Sequence, residues 1–272
     1  MGVGQAPNNF FDRLMLGHIL TASSLFAILR VKGGEGMYPF FSLVCNDRFQ
    51  IGCTGQTVYL LDKEGRELAK FKDLTYAYDC AISPLGDLFV VVTTEGRMAV
   101  YSLETRSLIK KFRFLKKECG CSKHFCFSPD GLVFYSIENH INSLRTVLSV
   151  YDGRDFALKK KILGDNPNLV LTSLEYDEPS DTVLLLGYFR DENSGVASRF
   201  FVAKLINDEL RDLLYISEKE HHFYEGYKDL ERRGFTEKAK RWSTLAYHGY
   251  DLDAINRAGH SLKKLWMHYA AQ

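Results

Sequence analysis

The sequence predicts a mainly β fold, a small or open β-propeller of four to five four-stranded blades with a C-terminal α-helical appendage. Three observations carry that prediction. Four copies of one pattern of short apolar segments fill residues 40–216. Two copies share near-identical corners, Ala81-Ile-Ser-Pro-Leu-Gly-Asp-Leu and Cys126-Phe-Ser-Pro-Asp-Gly-Leu-Val, whose prolines Pro84 and Pro129 stand 45 positions apart. A period of about 40–45 residues is the spacing of a four-stranded blade. After Ser217 the apolar residues switch from strand spacing to helix spacing. The chain therefore divides into a lead-in at 1–39, blades at 40–216 and a helical module at 217–272.

In the lead-in, 14–29 is the longest apolar stretch, but Gly17, His18, Thr21, Ser23 and Ser24 interrupt it. It falls short of the roughly 20 apolar residues that span a bilayer, and Met1 to Phe11 holds no Lys or Arg, the charged start a signal peptide requires. A buried lead-in element is expected, and no membrane role. Within it Leu25-Phe-Ala-Ile-Leu-Arg-Val offers one or two strands of a further blade.

The first copy reads Phe40-Phe-Ser-Leu-Val-Cys, Phe49-Gln-Ile-Gly-Cys, Thr57-Val-Tyr-Leu-Leu-Asp and Arg66-Glu-Leu-Ala-Lys-Phe. The second places strands at 78–83, 88–93, 97–103 and 107–112, with turn residues at Gly65, Gly86 and Gly96 where hairpins need a positive φ. The run 89–92 is apolar throughout, as in a strand covered on both faces. Copies three (124–162) and four (170–216) carry longer polar inserts at 138–143 and 190–198, which belong on one face of a repeat array. Seven blades do not fit this length, so the first and last copies pair with each other or are covered by the lead-in, the helices or a second protein. A second protein, adding a strand to an open edge, is the favoured route.

These repeats resemble the WD-repeat and YncE-like propeller superfamily. The resemblance rests on the Ser-Pro-x-Gly corners at 83–86 and 128–131 and on third strands ending Val100-Tyr-Ser-Leu and Val150-Tyr-Asp-Gly. No Gly-His opens a blade and no Trp-Asp closes a third strand, so the resemblance implies an architecture rather than a particular member.

In the helical module Asp251 reads as an N-cap, followed by Leu252, Ile255, Ala258, Leu262, Leu265 and Tyr269 on one helix face. Ala239, Trp242 and Ala246 mark a preceding helix. Trp242 and Trp266 are expected to be largely buried against the propeller or a partner. Trp242, Tyr250 and Trp266 are the candidate partner anchors, because Trp and Tyr dominate interface hot spots. Arg232, Arg233, Lys238, Lys240 and Arg241 form a basic cluster that points to nucleic acid, but Glu231 and Glu237 dilute it.

The densest metal-like group is Cys119, Cys121, His124 and Cys126. Its Cys-x-Cys spacing departs from the usual Cys-x-x-Cys knuckle, and the corner alignment sets Cys126 where Ala81 stands, a core position. No bound metal and no cofactor are expected. His221-His222 reads as a solvated helix start, since adjacent side chains diverge. No glycine-rich phosphate loop or nucleophile elbow occurs, and no set of Asp, Glu or His is expected at matching blade positions.

Hydrophobic residues make up 46% and charged residues 25%, with a net charge of +1, which excludes disorder and any global electrostatic case for nucleic acid. Six cysteines lie in strand-like segments rather than framing loops, as in a reducing, cytoplasmic compartment. The function expected is a non-catalytic scaffold or adaptor subunit with protein partners. A nucleoprotein subunit using the basic helices comes second and a channel-centred propeller enzyme third.

Overall fold

The computed structural model describes residues 27–30, 37–114, 120–140, 145–232 and 261–271. A hairpin of β1 (Ala27–Arg30) and β2 (Met37–Phe40) precedes four antiparallel sheets of four strands each. Blade one is β3 (Ser42–Cys45), β4 (Phe49–Cys53), β5 (Val58–Asp62) and β6 (Glu67–Phe71). Blade two is β7 (Ala77–Ile82), β8 (Leu88–Thr93), β9 (Arg97–Ser102) and β10 (Ser107–Arg113). Blade three is β11 (Gly120–Phe127), β12 (Val133–His140), β13 (Arg145–Asp152) and β14 (Leu158–Ile162). Blade four is β15 (Leu169–Asp177), β16 (Thr182–Arg190), β17 (Ala197–Ile206) and β18 (Glu209–Tyr215). Helices α1 (Glu218–Arg232) and α2 (Leu262–Ala270) follow. Each blade is a meander in sequence order, so the chain builds a propeller.

The Ser-Pro-x-Gly corners work as their chemistry predicts. Ser128 begins the turn, Pro129 presets its φ, and Gly131, at φ +70°, closes it by donating its N–H to the Ser128 carbonyl at 2.9 Å. The same bond runs from Gly86 to Ser83 at 2.8 Å. A Cβ on Gly131 would also press to 3.0 Å from the Leu85 side chain, so the two corners pack against one another.

Blades stack face to face through alternating residues. In β8, Phe89 and Val91 join Ile51, Leu60 and Tyr101 between blades one and two. Leu88, Val90 and Val92 join Phe134, Tyr151 and Phe156 between blades two and three. This explains the unbroken apolar run in β8: with a neighbour on each face, both side-chain rows are core. Ile137 and Leu148 meet Leu171, Leu185 and Phe201 between blades three and four. Each such side chain, buried from water, contributes about 1.5–3 kcal/mol before entropy is counted.

The ends of the array differ from expectation. Phe40 belongs to β2 rather than to the first inner strand, and it packs on the outer face of blade one with Leu43, Tyr59 and Leu61. Gly52 makes room for it, since a Cβ there would stand 2.3 Å from the Phe40 ring. Among the described residues the further blade is represented by the β1–β2 hairpin. At the other end α1 and α2 cover blade four, and α1 packs on β17 and also reaches β3 of blade one. The chain's own helices cover one face of the last blade.

The outer edges of the blades share one feature. Every outer strand carries an irregularity against its inner neighbour: Leu68, Ile109 and Lys159 are extra residues in β6, β10 and β14, and Asp212 and Leu213 oppose the single Ala203 in β18. Bulges on edges twist them away from pairing.

Two further corrections concern element limits. Glu138, Asn139 and His140 extend β12 rather than forming an insert. The described C-terminal helix starts at Leu262, because Ser261 is extended and its side chain accepts the Lys264 N–H. Asp251, the expected N-cap, and 252–260 lie outside the described residues. No helix among the described residues is long and apolar enough to cross a membrane.

Candidate interaction site

The helical cover is the most specific assembly in the molecule, and its anchors are polar. Helix α1 begins with a capping box: Ser217 Oγ accepts from the Glu220 N–H at 3.3 Å, and Glu220 Oε2 accepts from the Ser217 N–H at 3.1 Å. The Tyr269 hydroxyl of α2 donates to the same carboxylate. Burial pushes the Glu220 carboxyl up, but the Ser217 and Tyr269 hydroxyls outweigh it and hold it below its ordinary value.

The inner strand β15 supplies three side chains to the helices. Glu175 accepts from the Tyr224 hydroxyl at 3.1 Å and from the Leu262 N–H at 2.7 Å. Leu262 is the first residue of α2, whose N–H has no partner within its own helix. A carboxylate there also complements the helix dipole. Asp177 lies 2.9 Å from the Lys263 ammonium. Burial raises its carboxyl, yet Ser180 and Lys263 hold it below the usual range. Thr172, the extra residue where β15 slips against β16, bonds His221 Nε2 at 3.0 Å.

His221 thus corrects the solvated-start expectation. It is 1% exposed, with its ring against Phe200 and Tyr188, while His222 beside it is exposed. The adjacent imidazoles do diverge, as the helix requires, but one of them points into blade four. Around these anchors Leu184, Leu186, Phe200 and Val202 pack with Phe223, Leu262 and Leu265. Trp266 is half-buried rather than largely buried. Its Nε1 donates to the Asp212 carbonyl at 3.3 Å, and the Lys204 ammonium sits 3.9 Å from its ring centroid. Of the other anchors, Trp242, Tyr250, Arg233, Lys240 and Arg241 lie outside the described residues, and only the backbone of Arg232 is described.

The inner strands share a further pattern. Ser42, Asp79 and Ser173 pair with Cys53, Val92 and Leu186, each the fifth residue of its second strand. His124 falls at the corresponding place in blade three, five residues before Pro129 as Asp79 is before Pro84. Polar residues therefore recur at this position, Asp79 and His124 with two serines. Ser42 Oγ donates to Asp79 Oδ1 at 2.8 Å, joining blades one and two, and both residues are buried. The corner alignment that paired Ala81 with Cys126 already held the Asp79–His124 match.

Cys126 packs with the core between blades three and four. Burial raises its thiol pKa and Glu175 adds to the rise, which disfavours the thiolate a metal needs. His124 is half-buried, while Cys119 and the Cys121 side chain lie outside the described residues. Among the described residues no three His, Cys, Asp or Glu side chains are grouped to hold a metal.

Among the described residues, clefts open at the blade rims. One, of about 330 Å³, lies at the end of blade three beside His140, Arg145 and Asp165. The other, of about 620 Å³, runs between blades three and four over Val133, Tyr135, Val150 and Leu205.

Four meandering blades stacked on alternating apolar faces define a protein of the β-propeller class. No family model matches the chain, and no curated protein does. Solved structures match the fold. Hydrazine synthase of Kuenenia stuttgartiensis aligns with a TM-score of 0.52 at 12% identity, over 63% of this chain and 51% of that one. The Pan2 WD40 domain of Neurospora crassa aligns with a TM-score of 0.48 at 13% identity, over 65% of this chain and 52% of that one. The chain thus matches about half the length of each, and the alignment with hydrazine synthase, at 12% identity, speaks for the fold alone.

Proposed function

We propose that this protein is a non-catalytic propeller scaffold, a subunit that holds protein partners on its rims within a reducing, cytoplasmic compartment. One observation carries the reading. Several polar side chains of the inner strands are engaged in holding the molecule together, Ser42 on Asp79, Thr172 on His221, and Glu175 on both helices. Large apolar side chains meanwhile stand exposed on turns, Tyr76 at 60%, Leu85 at 55% and Val196 at 64%. A rigid frame that presents apolar side chains on loops is suited to binding other proteins. Free thiols at Cys45, Cys53, Cys80 and Cys126 accord with the compartment.

The test is purification from the native host at high salt, with the wild-type chain and a Tyr76→Ser/Leu85→Ser variant of unchanged melting temperature. The scaffold reading expects a stoichiometric protein companion that the variant loses or holds at least tenfold more weakly. A chain that stays alone at native expression levels, or one that turns over a small molecule in the same preparation, would overturn it.

A further inference from the structure

The rim of blade three holds a guanidinium with no carboxylate partner among the described residues. Arg145 opens β13 and stands directly opposite His140, the last residue of β12. Its Nη2 donates to the Gly164 carbonyl at 2.7 Å. The chain after β14 reaches that point through a left-handed turn at Leu163, φ +62°. A Cβ on Gly164 would press to 3.1 Å from the Val147 side chain, so the glycine permits the approach. One of the five guanidinium N–H donors is thus spent on fixing the side chain, and the others are left for a ligand.

Lys161 supplies a second cation, and its place is set from the protein interior. Arg145, Val147 and Ser149 alternate along β13, and His140, Glu138 and Lys161 stand opposite them, so all six share one face of blade three. Glu138 is fully buried and accepts from the Tyr151 hydroxyl at 2.6 Å and from the Lys161 ammonium at 2.9 Å. Burial and Glu138 both raise the Tyr151 phenol, which keeps it protonated as a donor. A buried carboxylate is costly unless it is paired, and this one holds the stem of an exposed lysine at the mouth of the cleft.

The sign of the cleft of about 330 Å³ follows from its lining. Arg145 and Lys161 face one acid, Asp165, which is exposed and pairs with neither among the described residues. Glu138 lies behind, committed to Lys161 and Tyr151. Val147, Ile162 and Leu163 make the rest of the wall apolar. The volume stands at the low end of small-molecule sites, which run from about 300 to 1,000 Å³.

We propose that this cleft binds a phosphate monoester carried on a small apolar group, with the phosphoryl oxygens on Arg145 and Lys161 and the apolar group against Val147 and Ile162. The guanidinium fork takes two oxygens of the anion and the ammonium a third, a division that suits a tetrahedral group and leaves a carboxylate short of one contact. A phosphate ester carries a charge of about −1.5 to −2, enough to engage both cations. A free ester and a phosphorylated side chain offer the same chemistry. The proposal goes beyond the scaffold reading and does not depend on it.

The probe is phenyl phosphate, titrated calorimetrically into the full chain at low salt, with inorganic phosphate and benzoate beside it. Saturable binding of phenyl phosphate is expected, at least tenfold tighter than either control. Arg145→Gln removes the charge from an exposed residue at a strand end, and it should lose at least tenfold in affinity at an unchanged melting temperature. Arg145→Lys keeps the charge without the fork and should fall between the two. No saturable binding of phenyl phosphate, equal binding of benzoate or of inorganic phosphate, or indifference to Arg145→Gln would each overturn the site. If Arg145→Gln lowers the melting temperature, the three ligands on the wild-type chain decide the matter alone. A short phosphotyrosine peptide then separates the sources. Binding tighter than phenyl phosphate supports the site with a partner's side chain as donor of the group, and equal or weaker binding supports it with a free ester.

Discussion

Blade two and blade four are built from the same strands and buried in different ways. Blade two lies between two other blades, and both faces of β8 and β9 disappear into them through Val, Phe, Met and Tyr side chains. Blade four has a blade on one face and helices on the other. Its helix face is apolar too, with Leu184, Leu186, Phe200 and Val202, but Thr172, Glu175 and Asp177 each reach a particular atom of α1 or α2. Blades meet blades mainly through repeated packing, which any alternating strand can offer. A helix has no matching pleat, so its position on a sheet is set by a few directional bonds.

That contrast can be broken most strongly in the core. Phe89→Ala removes a fully buried ring that contacts Phe71 and Tyr101, and should cost about 3–5 kcal/mol. One cooperative unfolding transition, shifted far down in denaturant, is the expected result. If the blades melted separately, stacking would not be what unites them.

Glu175→Ala should cost less, about 1–3 kcal/mol, because it leaves the Tyr224 hydroxyl and the Leu262 N–H without their acceptor. Its effect should be local. Amide exchange in α2 should quicken while β8 and β9 stay protected, and equal loss in both would erase the distinction between the two kinds of interface.

Acid should act on the same side. Glu220 and Asp177 have carboxyl pKa values held down in the folded protein. Their contribution is therefore complete above the ordinary carboxylate range, about pH 4, and is lost as pH falls through the depressed folded values. A pH titration followed by exchange should show α2 released before the blades. Release on raising the pH from 5 to 7 would contradict the assignment.

The smallest effect belongs to Trp266→Phe, which removes the bond to Asp212 and weakens the contact with Lys204 by about 0.5–1 kcal/mol or less. A melting shift far larger than this would mean that the half-buried indole is a main support of the cover.

Most of the blade strands were legible in the sequence because their grammar is local. Turn chemistry at Ser83–Gly86 and Ser128–Gly131 marks the corners, and the two-residue pleat sets which side chains share a face. Phe40 was misplaced because a strand ending one hairpin and a strand beginning a blade look alike when one residue separates them. His221 was read as exposed because its neighbours Glu218, Glu220 and Glu225 are charged, and nothing local shows that a blade stands over one side of that turn. The cleft between blades three and four was not legible, since Val133, Val150 and Leu205 come from two blades and each reads singly as core.

By itself the sequence determined the repeat, the four strands of each blade and the change to helix after Ser217, because each depends on residues within a few positions of one another. Only the tertiary structure decided that helices cover the fourth blade, that Glu175 caps α2 from 87 residues away, and that a cleft opens between blades three and four. Those features are made of side chains distant in the chain, and packing alone brings them within bonding distance.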